Sequence, residues 1–272
     1  SRINLFHGKN YRNTLILKNT CLNPKNIITF EPHSRIGKNV FDLRIIQSNC
    51  NLTIDQKLEI QYLNSVMYST IVHFREINRT MCSKVDMLWF WEPSYPISLG
   101  NFSHKFIFKS PWLITGSDFL YGIAKEANIA FQRNELYTGE IDTSYEQKGI
   151  EAVAKLKEGV DFLFVHINAT DEESHQKRFH GKVKVIEKVD HYIIKPVFEC
   201  LKNLSEDFIL TIGGDHYTSS KSGNHLDLNA PFIVFNSKRE KNVISKFSER
   251  EIISKNPLSF EAKDLIPKIM NV

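Results

Sequence analysis

Residues 161–216 open with DFLFVHINATDEESH (161–175) and close with DFILTIGGDH (207–216), with a long helix-patterned segment between them. Each quoted piece is a short apolar run that ends in a tight cluster of Asp and His. Runs of this kind read as strands, and the segment joining them as a crossover helix. In an open α/β sheet, ligands gather at the C-terminal ends of the strands, where both clusters fall. Asp171 and His175 are spaced i, i+4, so one helical turn puts them on the same face. Asp215 and His216 are adjacent and can share a partner only from a loop. They follow Gly213 and Gly214, which are expected to let the backbone turn there. A third piece, GNHLDLNAPFIVF (223–235), sets His225 just ahead of another apolar strand.

Asp and His are hard-to-borderline metal ligands, and Cys is absent from all three pieces. Mixed carboxylate–imidazole sets suit Mn²⁺ or Zn²⁺ better than Mg²⁺ or Ca²⁺, which prefer oxygen alone. Taken singly, each motif has a bland reading. Asp171 can cap a helix, and surface histidines are common. His166, inside the strand pattern, reads as a satisfied sheet histidine, and His180 and His191 as helix-surface residues. The ordered set strand–DxxxH–helix–strand–GDH–loop–His–strand is far more specific than its parts.

That set resembles the C-terminal half of the alkaline phosphatase superfamily, and within it the archaeal-type, cofactor-independent phosphoglycerate mutases. The resemblance is carried by HINATDEESH (166–175), GKVKVIEKVD (181–190), GGDHYTSSKSGNH (213–225) and APFIVF (230–235). Upstream, TGEIDTSYEQK (138–148) is similar to the family's TG-x-x-DT-x-Y-x-x-K run, and MLWFW (87–91) to its Trp-rich strand. The resemblance covers nearly the whole chain, thinly at first and densely from Met87. It implies an α/β, alkaline-phosphatase-like three-layer sandwich with a mainly parallel sheet, plus a small α+β inserted domain. Residues 1–82 would belong to that inserted, substrate-recognising domain and 83–272 to the C-terminal half of the metal-binding domain.

By the same resemblance Asp171, His175 and His225 would hold one divalent ion, and Asp215 and His216 would help hold a second. The ions would be Mn²⁺ or Zn²⁺, with Mg²⁺ less favoured. The substrate would be a small phosphorylated acid, met by Arg12, His33, Arg79 and Lys148. Arg offers bidentate donors to both phosphate and carboxylate. For each of these cations a solvated surface residue is the plain alternative, most of all for Lys148 on its amphipathic helix. The implied activity is interconversion of 2- and 3-phosphoglycerate through a phosphoserine. Two alternatives stand beside it: another phosphoryl- or sulfuryl-transfer enzyme of the superfamily, or a non-catalytic homologue. No Ser matches the family's nucleophile. Ser117 comes nearest and reads better as a helix cap. The opening SRINLFHGKNYRNTLIL (1–17) lacks Met and aligns to the family's interior, so an N-terminal portion carrying that serine is expected to be missing. The family usually has Gly after the Trp-rich strand, where this chain has Glu92.

Composition narrows the class. The 272 residues are 42% hydrophobic and 24% charged, as in ordinary globular chains. The net charge of +4 is spread along the chain without a Lys/Arg block, which argues against nucleic acid and suits a small anion. No apolar run nears the ~20 residues of a membrane span. The four cysteines are scattered, which argues against a disulfide framework and for a reducing, cytoplasmic setting.

Along the chain, a strand is expected at 11–18 and a loop at 23–38. Thr53 and Gln56 form a capping box before a long amphipathic helix. A strand is expected at 86–91, a short strand or edge at 105–108, and a helix from Ser117 to about 127. A strand at 129–131 follows, then a second capping box, Thr143 and Glu146, before a helix to about 157. The remaining expectations are a strand at 160–167, a helix over 182–204 kinked or split by Pro196, and strands at 208–212 and 232–235. The tail from 236 is polar and weakly alternating.

Overall fold

The computed structural model of the chain describes residues 2–8, 13–35, 37–81, 84–239, 246–255 and 257–271, with the side chains of His33 and Ser34 outside it. It divides into two compact units, Ser1–Ile97 and Ser98–Val272, the division falling beyond the boundary expected after residue 82.

In the first unit, β1 (Ile3–His7) pairs antiparallel with β2 (Asn13–Leu17), Ile3 facing Leu17. The short β3 (Ile27–Ile28) and β4 (Gln47–Ser48) also pair antiparallel. Helix α1 (Ile54–Thr80) follows. Its capping box closes in both directions: Thr53 Oγ1 accepts from the Gln56 N–H at 3.3 Å, and the Gln56 side chain accepts from the Thr53 N–H at 3.0 Å. Ile60, Leu63 and Met67 recur at helical spacing and bury one face of α1 against Leu22, Ile45 and Ile46.

Residues 86–91 are not a strand. Their amides bond to side chains instead of a neighbouring ladder: the Leu88 N–H to Thr70 Oγ1 (2.9 Å) and the Phe90 N–H to Met67 Sδ (3.1 Å). Trp89 Nε1–H donates to the Phe30 carbonyl at 2.6 Å. Met87, Trp89 and Phe90 pack on the core beside α1, so the aromatic pattern buys burial without pairing. Glu92 adopts a left-handed φ of 49°, the conformation for which glycine is best suited.

In the second unit, α2 (Phe102–Phe106) takes up the first half of the stretch expected as a strand at 105–108, and the rest is not a strand. Phe102 and Phe106, one helical turn apart, meet at 4.9 Å between ring centroids, and Phe102 also meets Phe162 at 4.8 Å. Then come β5 (Pro111–Ile114), α3 (Asp118–Glu126), β6 (Ala130–Phe131), α4 (Tyr145–Lys157) and β7 (Phe162–Val165). The three strands form a parallel sheet in the order β6-β5-β7, with helical crossovers as parallel pairing requires. The fold class is α/β. Ser144, not Thr143, caps α4 by accepting from the Gln147 N–H at 3.3 Å. Thr143 is buried and accepts from the Thr138 N–H at 3.2 Å. Ser117 precedes α3 without a side-chain cap bond.

Next are α5 (Ala169–His175), α6 (Phe179–Val189), a π-helical turn (Asp190–Ile194) and α7 (Lys195–Asn203). Pro196 lies in the first turn of α7, so the π turn absorbs the missing donor. Gly149 of α4 is required where α4 meets that turn, since a Cβ there would lie 1.8 Å from the Tyr192 carbonyl. Strand β8 (Ile209–Gly213) pairs antiparallel with β11 (Phe232–Asn236). Between them, β9 (Tyr217–Thr218) pairs antiparallel with β10 (His225–Leu226). The tail holds the short α8 (Glu249–Ser254) and α9 (Leu265–Ile269). Ile114, Tyr137, Ala152 and Val197 form the core between the parallel sheet, α4 and α7. A second cluster, Tyr145, Ala169, Val185 and Ile193, fixes α5 and α6 close to the end of β7. No described helix is long and apolar enough to cross a membrane.

Candidate metal centre

Strand β7 ends at Val165, and after three intervening residues the chain turns into α5. That short helix puts Asp171 and His175 on one face, with Asp171 Oδ1 3.4 Å from His175 Nε2. His225 arrives from β10, where antiparallel pairing sets it opposite Thr218. Its Nε2 lies 3.1 Å from His175 Nε2 and 3.7 Å from Asp171 Oδ1. One donor atom from each of the three residues falls within 4.8 Å of the others.

Which nitrogen His175 presents is set by Gly223. His175 Nδ1 is 2.8 Å from the Gly223 carbonyl, which can only accept, so Nδ1 carries the proton and the neutral ring leaves its lone pair on Nε2. Gly223 has φ +77°, and a Cβ there would meet the His175 carbonyl at 2.8 Å, so glycine is required on both counts. With His225 protonated at Nε2, the ring–ring contact is a hydrogen bond. With its proton on Nδ1, both rings present lone pairs, the form in which imidazole binds a metal.

The donor set fits a divalent ion. Ligand atoms ~2.0–2.2 Å from a tetrahedral ion lie about 3.3–3.6 Å from one another. The separations here are 3.1, 3.4 and 3.7 Å. One carboxylate and two imidazoles suit Mn²⁺ or Zn²⁺.

The second pair lies beside the first. The His216 ring is 4.3 Å from that of His225, centroid to centroid. Asp215 is exposed, and its Oδ2 is 3.7 Å from His216 Nε2. Gly213 does not supply a turn: it ends β8, and a Cβ on it would sit 2.4 Å from Phe232 Cβ. Neither Gly213 nor Gly214 has positive φ, so close packing of β11 explains Gly213. His166 faces Thr115 Oγ1 from Nδ1 at 3.1 Å. Burial, then the charge of Lys148, holds its pKa below the usual imidazole value.

The expected anion-binding residues fare unequally. Arg12 and the His33 side chain lie outside the described residues; the His33 backbone is in a 3-10 turn (Pro32–Arg35). Arg79 is exposed in the last turn of α1 and pairs with Glu76 at 3.0 Å. Lys148 is not on the solvated face of α4. It is 1% exposed, because α4 buries Tyr145, Lys148 and Ala152 together. Its ammonium donates to the His166 carbonyl at 3.2 Å and lies 5.4 Å from the Tyr137 ring centroid. Sequence reading missed Gly223 and Thr218. Their signals were the Gly two residues before His225 and the Thr two residues after His216, a spacing that keeps strand neighbours on one face.

The model of the Metalloenzyme superfamily matches residues 97–256. A 2,3-bisphosphoglycerate-independent phosphoglycerate mutase of Methanosarcina mazei is 30% identical over 66% of this chain and 45% of its own length. A relative of the same name from Sulfurisphaera tokodaii is 26% identical over 99% of this chain and 64% of its own length. The chain thus spans between 45% and 64% of the length of these two curated relatives. Among solved structures, the PH0037 protein from Pyrococcus horikoshii aligns with a TM-score of 0.54 at 24% identity, over 65% of this chain and 52% of that one, a likeness of fold.

Proposed function

This chain belongs to the metalloenzyme superfamily, and on that premise we propose that it is the metal-holding part of a 2,3-bisphosphoglycerate-independent phosphoglycerate mutase. The reaction would interconvert 2- and 3-phosphoglycerate through a phosphoserine. The observation that carries the reading is the convergence of Asp171, His175 and His225 at 3.1–3.7 Å, from a helix and a strand 50 residues apart. The names of the relatives supply the substrate.

In this reading Asp171, His175 and His225 hold one divalent ion, Mn²⁺ or Zn²⁺, and Asp215 and His216 give two donors to a second. Bound there, the ions would draw charge from the oxygens of a phosphoryl group in transfer. The Gly223 carbonyl keeps His175 in the tautomer that can bind. Lys148 acts from within the core, tying α4 to the His166 carbonyl at the end of β7. Arg12, His33 and Arg79 would meet the phosphate and carboxylate of the substrate. Residues 1–82 would serve as part of a substrate-recognition domain, and 83–272 as the C-terminal half of the metal-binding domain. The serine nucleophile and an Asp completing the second ion would come from outside these 272 residues.

The test is conversion of 3- to 2-phosphoglycerate with Mn²⁺ and no added bisphosphoglycerate. The 272-residue chain is expected to bind Mn²⁺ without turnover. A longer chain bringing an Asp and a Ser at a strand–helix turn is expected to turn over. Turnover by the shorter chain would show a nucleophile within it. A metal-loaded longer chain that leaves phosphoglycerate untouched would redirect the reading to another phosphoryl or sulfuryl ester.

A further inference from the structure

We propose that Thr218 is a positioning residue that joins the two halves of the metal centre and selects the ring nitrogen that His216 presents. The inference rests on the metal-centre reading above and assigns a role to a residue that is not itself a ligand.

Thr218 is 6% exposed and touches, or is paired with, three of the five proposed ligands. Its backbone on β9 faces His225 on β10. Its hydroxyl donates to Asp171 Oδ1 at 2.5 Å, and Thr218 Oγ1 also lies 3.1 Å from His216 Nδ1. Its carbonyl accepts from Lys182 Nζ at 3.1 Å, which anchors the strand to α6.

A threonine hydroxyl has one proton to give. A carboxylate oxygen has none, so that proton lies between Thr218 and Asp171. What Thr218 then turns to His216 is a lone pair. The contact at His216 Nδ1 is favourable only when that nitrogen carries hydrogen. In the neutral ring the lone pair is then on Nε2, the nitrogen 3.7 Å from Asp215 Oδ2. Thr218 does for His216 what the Gly223 carbonyl does for His175. The difference is that Thr218 also aims the carboxylate of the neighbouring set. One hydroxyl thus fixes the orientation of Asp171 and the tautomer of His216 together. Hydrogen-bonding partners behind metal ligands of this kind typically contribute about 10–100-fold to metal affinity.

The test uses the whole chain and two variants: Thr218→Val, which keeps the shape and removes the hydroxyl, and Thr218→Ser, which restores it. In the metal-free protein, long-range proton–nitrogen NMR correlations report which nitrogen of His216 is protonated. The expected form is Nδ1–H in the parent chain and in Thr218→Ser, with Nε2–H gaining in Thr218→Val. Calorimetric titration with Mn²⁺ alone should show affinity lowered about 10–100-fold in Thr218→Val and near the parent value in Thr218→Ser. A parent chain with His216 protonated at Nε2 overturns the proposal, and this reading stands even where the Val variant does not fold. Unchanged Mn²⁺ affinity and an unchanged tautomer in a folded Thr218→Val also overturn it. A parent chain that binds no Mn²⁺ defeats the metal-centre reading and the loading role with it. A tautomer shift in Thr218→Val would then still support the hydrogen-bond assignment.

Discussion

Two carboxylates, one in each unit, set structural and functional roles side by side. Glu59 of α1 has a side chain only 4% exposed, and everything around it donates. Its Oε2 accepts from the Cys21 N–H at 3.0 Å and the Cys21 thiol at 2.8 Å, and its Oε1 is paired with Arg2. Burial alone would raise its pKa, but the bonds from the Cys21 thiol and amide and from Thr20, with Arg2 beside them, bring it below the ordinary carboxylate value. Asp171 of α5 is the more exposed, at 23%, and has two imidazoles near it. Thr218 gives it one proton; beyond that it faces the Nε2 atoms of His175 and His225 at 3.4 and 3.7 Å. A carboxylate ringed by donors closes a loop onto a helix, whereas one set beside two imidazoles that can both turn lone pairs to the same point makes sense around a cation.

The strongest way to break this contrast is to neutralise each carboxylate in turn. Asp171→Asn should cost Mn²⁺ affinity at least about 100-fold, more than loss of a supporting bond. Glu59→Gln should leave that affinity unchanged; calorimetry that found equal losses would erase the distinction. Glu59→Gln should instead lower stability by about 1–3 kcal/mol in urea unfolding, since buried donors lose their acceptor. Its pH dependence follows from the sign of the shift. A depressed folded pKa gives stability that is full above the unfolded value, ~4.3, and is lost as pH falls through the folded value. The stability gap between parent and Glu59→Gln should therefore close in acid. A gap that widens in acid would mean Glu59 is not held ionised by its donors.

Smaller effects sharpen the picture. Gly223→Ala puts a Cβ on a backbone at φ +77°, against the His175 carbonyl. It should cost roughly 1–2 kcal/mol of stability, and about 10-fold in Mn²⁺ affinity as His175 loses its guide. Retained affinity with lowered stability would make Gly223 a turn residue only. Smallest is Arg79→Ala. Its pair with Glu76 is exposed on both sides, so stability should change by less than ~0.5 kcal/mol. Weaker binding of 3-phosphoglycerate in that variant would then report a substrate contact.

What was legible in the sequence was local. The Asp171–His175 spacing survives as one turn of α5, and the Thr53–Gln56 box survives because both bonds lie within one turn. Strand β7 stands where a short apolar run ends in a polar cluster, whereas β5 (Pro111–Ile114), only four residues long, was passed over. Residues 86–91 misled because an aromatic, β-favouring run can bury itself on α1 without a partner strand. Lys148 misled because charge marks a helix face as solvated only when no carbonyl and ring await it inside. Gly223 and Thr218 were missed because spacing hints at their place but not at their partners, His175 and Asp171, which lie more than forty residues away in the chain.

The most direct test of the cation reading is anomalous X-ray diffraction from crystals of the chain grown with Mn²⁺. The prediction is a single strong peak about 2.0–2.2 Å from Asp171 Oδ1, His175 Nε2 and His225 Nε2. A map with no peak there, or with manganese held only elsewhere, would contradict it.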